Sequence, residues 1–263
     1  MRAPPSTSPK IRDCAASDFG WLIARPIAHR GLHDVSRGDV ENTRSAAEAA
    51  ISRRFAIECD VRLSRDGEAV VFHDATLDRL TRASGAVAAR SVEELRGVGF
   101  RATSDRIPTL PEFLAVIAAR VPLICEIKSH FDGDMRLAER VAALAADYPG
   151  PIALKSFDPE PIAHLRALGV RNPLGIVAEA SYEGEDWRGL DAGKKQDCAA
   201  FLHYPLTRPD FLSWHVDDLP HPTPALLRAL AASPVIVWTV RTAEQRRRAR
   251  LWADQIVFEG AED

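Results

Sequence analysis

Phe55-Ala56-Ile57-Glu58-Cys59-Asp60-Val61 and Pro122-Leu123-Ile124-Cys125-Glu126-Ile127-Lys128 are two apolar stretches that each end in charges two residues apart. Alternate side chains of a β-strand share a face, so Glu58 and Asp60 point one way, as do Glu126 and Lys128. Charges on such strands are costly to bury unless they are paired or bind a metal. The pattern predicts strands whose tips carry a metal or catalytic site. Cys59 and Cys125 fall between the charges, turn to the opposite face, and read as small buried hydrophobes.

Working outward, strand and helix patterns alternate along the 263 residues. Strands are expected at 25–29, 56–61, 123–128, 151–155, 173–177, 199–204, 235–240 and 255–258. Helices are expected over 43–53, 110–120, 135–147, 160–168, 224–232 and 243–252, with Asn42 and Thr242 as N-caps. A further strand at 69–72 breaks the alternation. It follows too closely for a parallel crossover, which needs about a dozen residues, and Asp66-Gly67 is a turn signal. A hairpin there returns His73 to the neighbourhood of Glu58. Eight strands are left, which predicts an α/β fold, a TIM (β/α)8 barrel with a short hairpin and lid segment after the second strand. Its active site would lie at the C-terminal strand ends. Residues 1–24 read as an N-terminal arm and 25–263 as one domain.

Composition narrows the class. Hydrophobic residues make up 46%, charged residues 27%, and the net charge is −3, so nothing marks a nucleic-acid partner. The run Arg246-Arg247-Arg248 with Arg250 reads as a solvated helix face. Cys14, Cys59, Cys125 and Cys198 form no CxxC pair and demand no oxidising compartment. The first 20 residues contain no apolar core of a signal peptide, and no stretch suits a transmembrane segment. A cytoplasmic enzyme is expected. Oligomeric state is not readable.

The strand tips supply three kinds of tool. Glu58, Asp60 and Glu126 are hard oxygen donors, suited to Mg²⁺ or Ca²⁺ over zinc. The competing reading pairs them with Arg30, Arg62 and Lys128 in a salt-bridge network. His29 and His73 can serve as general acid and base near neutral pH. His33 stands four residues after His29, but Gly31 and Asp34 argue for a loop, not a zinc-binding helix. Arg30 and Lys128 suit an anion. Three carboxylates against these two cations leave −1 without metal and +1 with a divalent ion. A phosphodiester anion would then be repelled without metal and attracted with it. A glycosidase would also use barrel carboxylates, but it leaves the histidines and cations without a task.

These residues resemble the glycerophosphodiester phosphodiesterase family over nearly the whole chain. The resemblance runs through His29-Arg30-Gly31, Glu41-Asn42-Thr43, Glu58-Cys59-Asp60-Val61, Asp66-Gly67 and Val70-Val71-Phe72-His73-Asp74. It continues through Leu77-Asp78-Arg79, Ile107-Pro108-Thr109-Leu110, Glu126-Ile127-Lys128, Ser156-Phe157 and Trp238-Thr239-Val240. It implies a TIM barrel that hydrolyses small-molecule glycerophosphodiesters to an alcohol and glycerol 3-phosphate with a divalent cation. It further implies Glu58, Asp60 and Glu126 as metal ligands, and His29 and His73 as the acid–base pair. Arg30 and Lys128 become phosphate contacts and Trp238 a pocket wall, while Asn42 is either a polar contact or only a cap. Lysophospholipase D-type activity and a catalytically silent metal-binding barrel are the alternatives. Two departures stand out: Arg241 replaces the usual Asn after Trp-Thr-Val, and Phe258-Glu259 replaces the usual Thr-Asp.

Overall fold

The computed structural model describes residues 19–260. Cys14 and most of the predicted arm lie outside them. Eight parallel strands close into a barrel: β1 (Ile27–Ala28), β2 (Ala56–Leu63), β4 (Leu123–Ile127), β5 (Ile152–Ser156), β6 (Leu174–Ala178), β7 (Phe211–His215), β8 (Val235–Val240) and β9 (Gln255–Phe258). Closure comes from β1, which pairs with both β2 and β9. The short strand β3 (Ala69–Val71) joins β2 antiparallel, Val61 opposite Val71, and the turn between them holds Gly67 at φ +85°.

Alternation sorts each strand into two faces. On β2 and β4, Ile57, Cys59, Val61, Leu123, Cys125 and Ile127 face outward into the main core. There they meet the apolar sides of α1 (Arg44–Ser52) and α3 (Leu110–Ile117). Facing inward, Ile27, Ala56, Ile124, Ala153, Phe211, Ile236 and Val257 form an apolar floor that Leu22 closes from below. Phe211 fills the space beside Gly175, where an added Cβ would meet its ring at 2.3 Å. Above this apolar floor, the next inward layer toward the C-terminal ends carries the polar residues. Residues 74–109 fold beside the barrel, where Leu77, Val87, Leu95, Val98, Phe100 and Ile107 join Val40, Val70 and Phe72 in a separate small core.

Two expectations fail. The predicted strand at 199–204 is instead the junction of two helices, α6 (Ala192–Ala199) and α7 (Tyr204–Thr207). Phe201 there adopts φ +57°, which ends any extended run, and Pro205 sits in the first turn of α7. The seventh strand is Phe211–His215, with Ile176 beside Leu212 and Ala178 beside Trp214. Asn42 is also not a cap. Thr43 caps α1, its hydroxyl accepting from the Ala46 amide, and this frees Asn42 for the site.

Candidate active site

Strand register assembles the centre. Asp60 lies opposite Glu126, and Glu126 opposite Lys155, so three neighbouring strands present charged side chains side by side. Glu58, Asp60 and Glu126 are buried, and one oxygen from each lies within 4.8 Å of the others. Asn42, at φ +59°, donates its Nδ2 to Asp60 Oδ2 at 2.9 Å and accepts from the Asp60 amide. The Arg30 amide, at φ +56°, donates to Glu58 Oε2 at 3.1 Å. Left-handed backbone at a non-glycine residue costs free energy, and here two such residues turn toward the carboxylates.

Cations surround the cluster. Lys128 Nζ lies 2.9 Å from Asp60 Oδ1 and also bonds Glu126 Oε1. Lys155 Nζ lies 3.1 Å from Glu58 Oε1 and 3.3 Å from Glu126 Oε2. Arg30 Nε approaches Asp60 Oδ2 at 3.3 Å. Arg62 donates its Nε to the His73 carbonyl at 2.7 Å and remains near enough to feel the charge of Asp60 and Glu126. Burial pushes the Asp60 carboxyl up, but Lys128, His73, Arg30 and His29 outweigh it and hold it well below the usual range. Burial pushes Lys155 down, and attraction to Glu58, Glu126 and Asp60 reverses this.

Lys155 also corrects the charge count. Three carboxylates now face Arg30, Lys128 and Lys155, so the metal-free centre is neutral and becomes +2 with a divalent ion. A phosphodiester is therefore not repelled by the metal-free centre, and any need for metal must arise in the chemistry. Lys155→Met should expose how much the cation does. It leaves two buried carboxylate oxygens without their partner, an expected loss of about 3–5 kcal/mol by denaturant unfolding in EDTA. Added divalent ion should narrow that gap.

Each histidine is held by a carboxylate, and each carboxylate by an arginine. His73 Nδ1 donates to Asp74 Oδ1 at 2.8 Å, while Arg79 Nε donates to Asp74 Oδ2 at 2.6 Å. Arg79 continues to Glu41, and Glu41 to Arg30. His29 Nδ1 bonds Glu259 Oε1, and Arg241 grips Glu259 through Nε at 2.6 Å and Nη2 at 3.1 Å. The two departures from the family pattern thus meet each other behind His29. With Nδ1 bound to a carboxylate, Nε2 is the free ring nitrogen in both cases, and His29 Nε2 lies 3.9 Å from Glu58 Oε2.

Burial pushes the Glu259 carboxyl up, yet bonds from His29, His33 and Arg241 hold it far below the usual range. Asp74 is likewise pushed up by burial but lowered overall by His73 and Arg79. A carboxyl with a depressed folded pKa binds its proton more weakly folded than unfolded. Its stabilisation is complete above about pH 4.5 and fades as pH falls through the lower folded value. Thermal midpoints should therefore fall between pH 5 and pH 3 by less in Glu259→Gln than in the parent.

The comparisons with known proteins bear on this geometry. The model of the glycerophosphoryl diester phosphodiesterase family matches residues 29–258. The chain belongs to that family. Among curated relatives of this glycerophosphoryl diester phosphodiesterase family member, the Bacillus subtilis protein YhdW is 30% identical over 59% of the chain and 66% of its own length. The glycerophosphodiester phosphodiesterase of Caldanaerobacter subterraneus is 40% identical over 39% of the chain and 44% of its own length. The matched regions thus span less than two thirds of these relatives. A phosphodiesterase of Oleispira antarctica, solved with the product sn-glycerol-3-phosphate, shares the fold. It has a TM-score of 0.73, 21% identity, and coverage of 90% of this chain and 93% of that one.

Every site residue expected from sequence sits at the C-terminal mouth. Trp238 donates its indole N–H to the Ser213 carbonyl at 3.1 Å and packs against Phe157 and His215. Sequence reasoning assigned no role to Lys155, Asp74, Arg79 or Glu41. Lys155 had a readable signal, an inward charge on the apolar strand Ile152–Ser156. The others depend on loop paths. No helix among the described residues is long and apolar enough to cross a membrane.

Proposed function

We propose that this chain is a metal-dependent glycerophosphodiester phosphodiesterase that releases an alcohol and glycerol 3-phosphate. The observation that carries the reading is the pair of carboxylate-held histidines flanking three buried acids. The donor set fits a divalent cation, Mg²⁺ or Ca²⁺: all three ligands are hard oxygens. Glu58 Oε1 is buried without an aligned hydrogen bond, facing the Lys155 ammonium. When bound by Glu58, Asp60 and Glu126, such an ion supplies positive charge that acidifies a substrate hydroxyl and screens the phosphate.

The protein's own groups then divide the work. Lys128 and Arg30 hold the phosphate oxygens, and Lys155 bridges Glu58 and Glu126 and offsets their mutual repulsion. One histidine takes the proton of the substrate's own 2-hydroxyl as it attacks phosphorus. The other protonates the departing alkoxide, and a cyclic phosphate results. Reversing the two roles activates water to open it. Glu259 and Asp74 stabilise whichever imidazole is protonated and fix the ring that is not. Release of glycerol 3-phosphate from a panel of glycerophosphodiesters with Mg²⁺ or Ca²⁺ is the test. Divalent-ion binding without turnover of any diester would favour the silent barrel.

A further inference from the structure

The far side of the mouth, beyond β6 to β8, carries a second group of polar residues that the reaction scheme does not use. Glu179 follows β6, His215 ends β7, and Asp218 lies in the turn Val216–Asp218 just after it. One polar atom from each lies within 4.8 Å of the others, all half-buried. His215 Nδ1 approaches Asp218 Oδ2 at 3.5 Å. Around them runs an arc of rings. Trp187 packs on Phe157 at 5.0 Å, Phe157 on Trp238 at 5.3 Å, and Trp238 on His215 at 4.9 Å between centroids. The Trp187 indole N–H donates to Glu179 Oε1.

Charge pairing is what sets this group apart. At the reaction centre every carboxylate lies beside a lysine or arginine. Among the described residues neither Glu179 nor Asp218 has such a partner, and their only ion-pair neighbour is His215. Burial raises the Glu179 carboxyl, and His215 is the one basic side chain among the leading influences on it. The mouth is therefore polarised, with cations around the reaction centre and uncompensated acids among aromatic faces opposite.

We propose that Glu179 and Asp218, walled by Phe157, Trp187 and Trp238, form the subsite for the alkylammonium head group of a zwitterionic glycerophosphodiester. This rests on the phosphodiesterase reading and narrows its substrate class. Aromatic faces and carboxylates together suit an alkylated ammonium, which gains from both. A hydrated divalent ion gains nothing from indole faces. Moreover, the Trp187 and Ala180 N–H groups already donate to one oxygen each of Glu179 and Asp218. Choline and ethanolamine esters share the required chemistry, and a quaternary centre makes fuller use of the rings.

The experiment compares kcat/KM for glycerophosphocholine and glycerophosphoethanolamine with glycerophosphoglycerol and with the neutral 3,3-dimethylbutyl isostere of the choline ester. The expected preference for the cationic esters is about tenfold. Glu179→Gln and, separately, Trp187→Leu should bring the ratio toward one. A larger gain for choline than for ethanolamine would identify the quaternary centre as the preferred occupant. Choline binding, followed by tryptophan fluorescence against 3,3-dimethylbutan-1-ol, reads the subsite without turnover and should weaken in Glu179→Gln. A parental ratio near one, a ratio unmoved by both variants, or equal binding of choline and its neutral analogue overturns the proposal. Calorimetry showing two divalent ions per chain, one of them lost in Glu179→Gln, overturns it in favour of a metal. Loss of turnover on every ester, with choline binding intact, counts against the phosphodiesterase reading alone.

Discussion

Replacing His29 or His73 by alanine should lower kcat for a glycerophosphodiester by about 10²–10⁴-fold each. The fold should persist, because neither ring belongs to the hydrophobic core: His73 is half-buried, and His29, though buried, lies among polar groups. The geometry makes the two losses comparable. Each ring is anchored through Nδ1 by a carboxylate, Asp74 or Glu259, that is itself gripped by an arginine. A hydrolysis that passes protons in both directions needs one imidazole as acceptor while the other donates. Removing either therefore stops the same cycle, and the double variant should be little worse than the worse single one. Near-parental turnover in either alanine variant would remove that histidine from the scheme.

Chelation with EDTA should abolish turnover, with recovery on adding Mg²⁺ or Ca²⁺, while leaving the protein folded. The second half of that expectation comes from the lysines. Three buried carboxylates with neither metal nor counter-charge would repel one another and strain the barrel. Lys128 and Lys155 bridge all three and Arg30 adds the third positive charge at Asp60, so the emptied cluster remains neutralised. Activity and thermal midpoint measured on the same chelated sample separate the two effects. Full activity after exhaustive chelation would sink metal dependence. A collapse of the fold would mean that the lysines do not carry the counter-charge assigned to them.

Much of the centre was legible because it depends on local periodicity. Glu58, Asp60 and Glu126 share an interior because a strand repeats every two residues, and the same rule sends Cys59 and Cys125 to the outer core. The failed seventh strand shows where that signal ends. Residues 199–204 and Phe211–His215 are both short apolar runs, and only pairing with β6 and β8 distinguishes the strand from the helix junction. Asn42 reads equally as a cap or a polar contact because Asn and Thr both suit the capping position. The site uses Asn42 at positive φ and leaves the capping to Thr43.

The apolar strands tipped with acids, seven of the eight barrel strands and the two candidate histidines can be read from the sequence alone, because spacing on a strand is a property of the backbone. Tertiary structure decided which charges meet. Lys155 reaches Glu58 and Glu126 because strand register sets it beside them, and this turns a −1 centre into a neutral one. Arg241 and Glu259 look like two independent departures along the chain. Closure of the barrel at β8, β9 and β1 joins them behind His29, since a hydrogen bond depends on distance in space and not on separation in sequence.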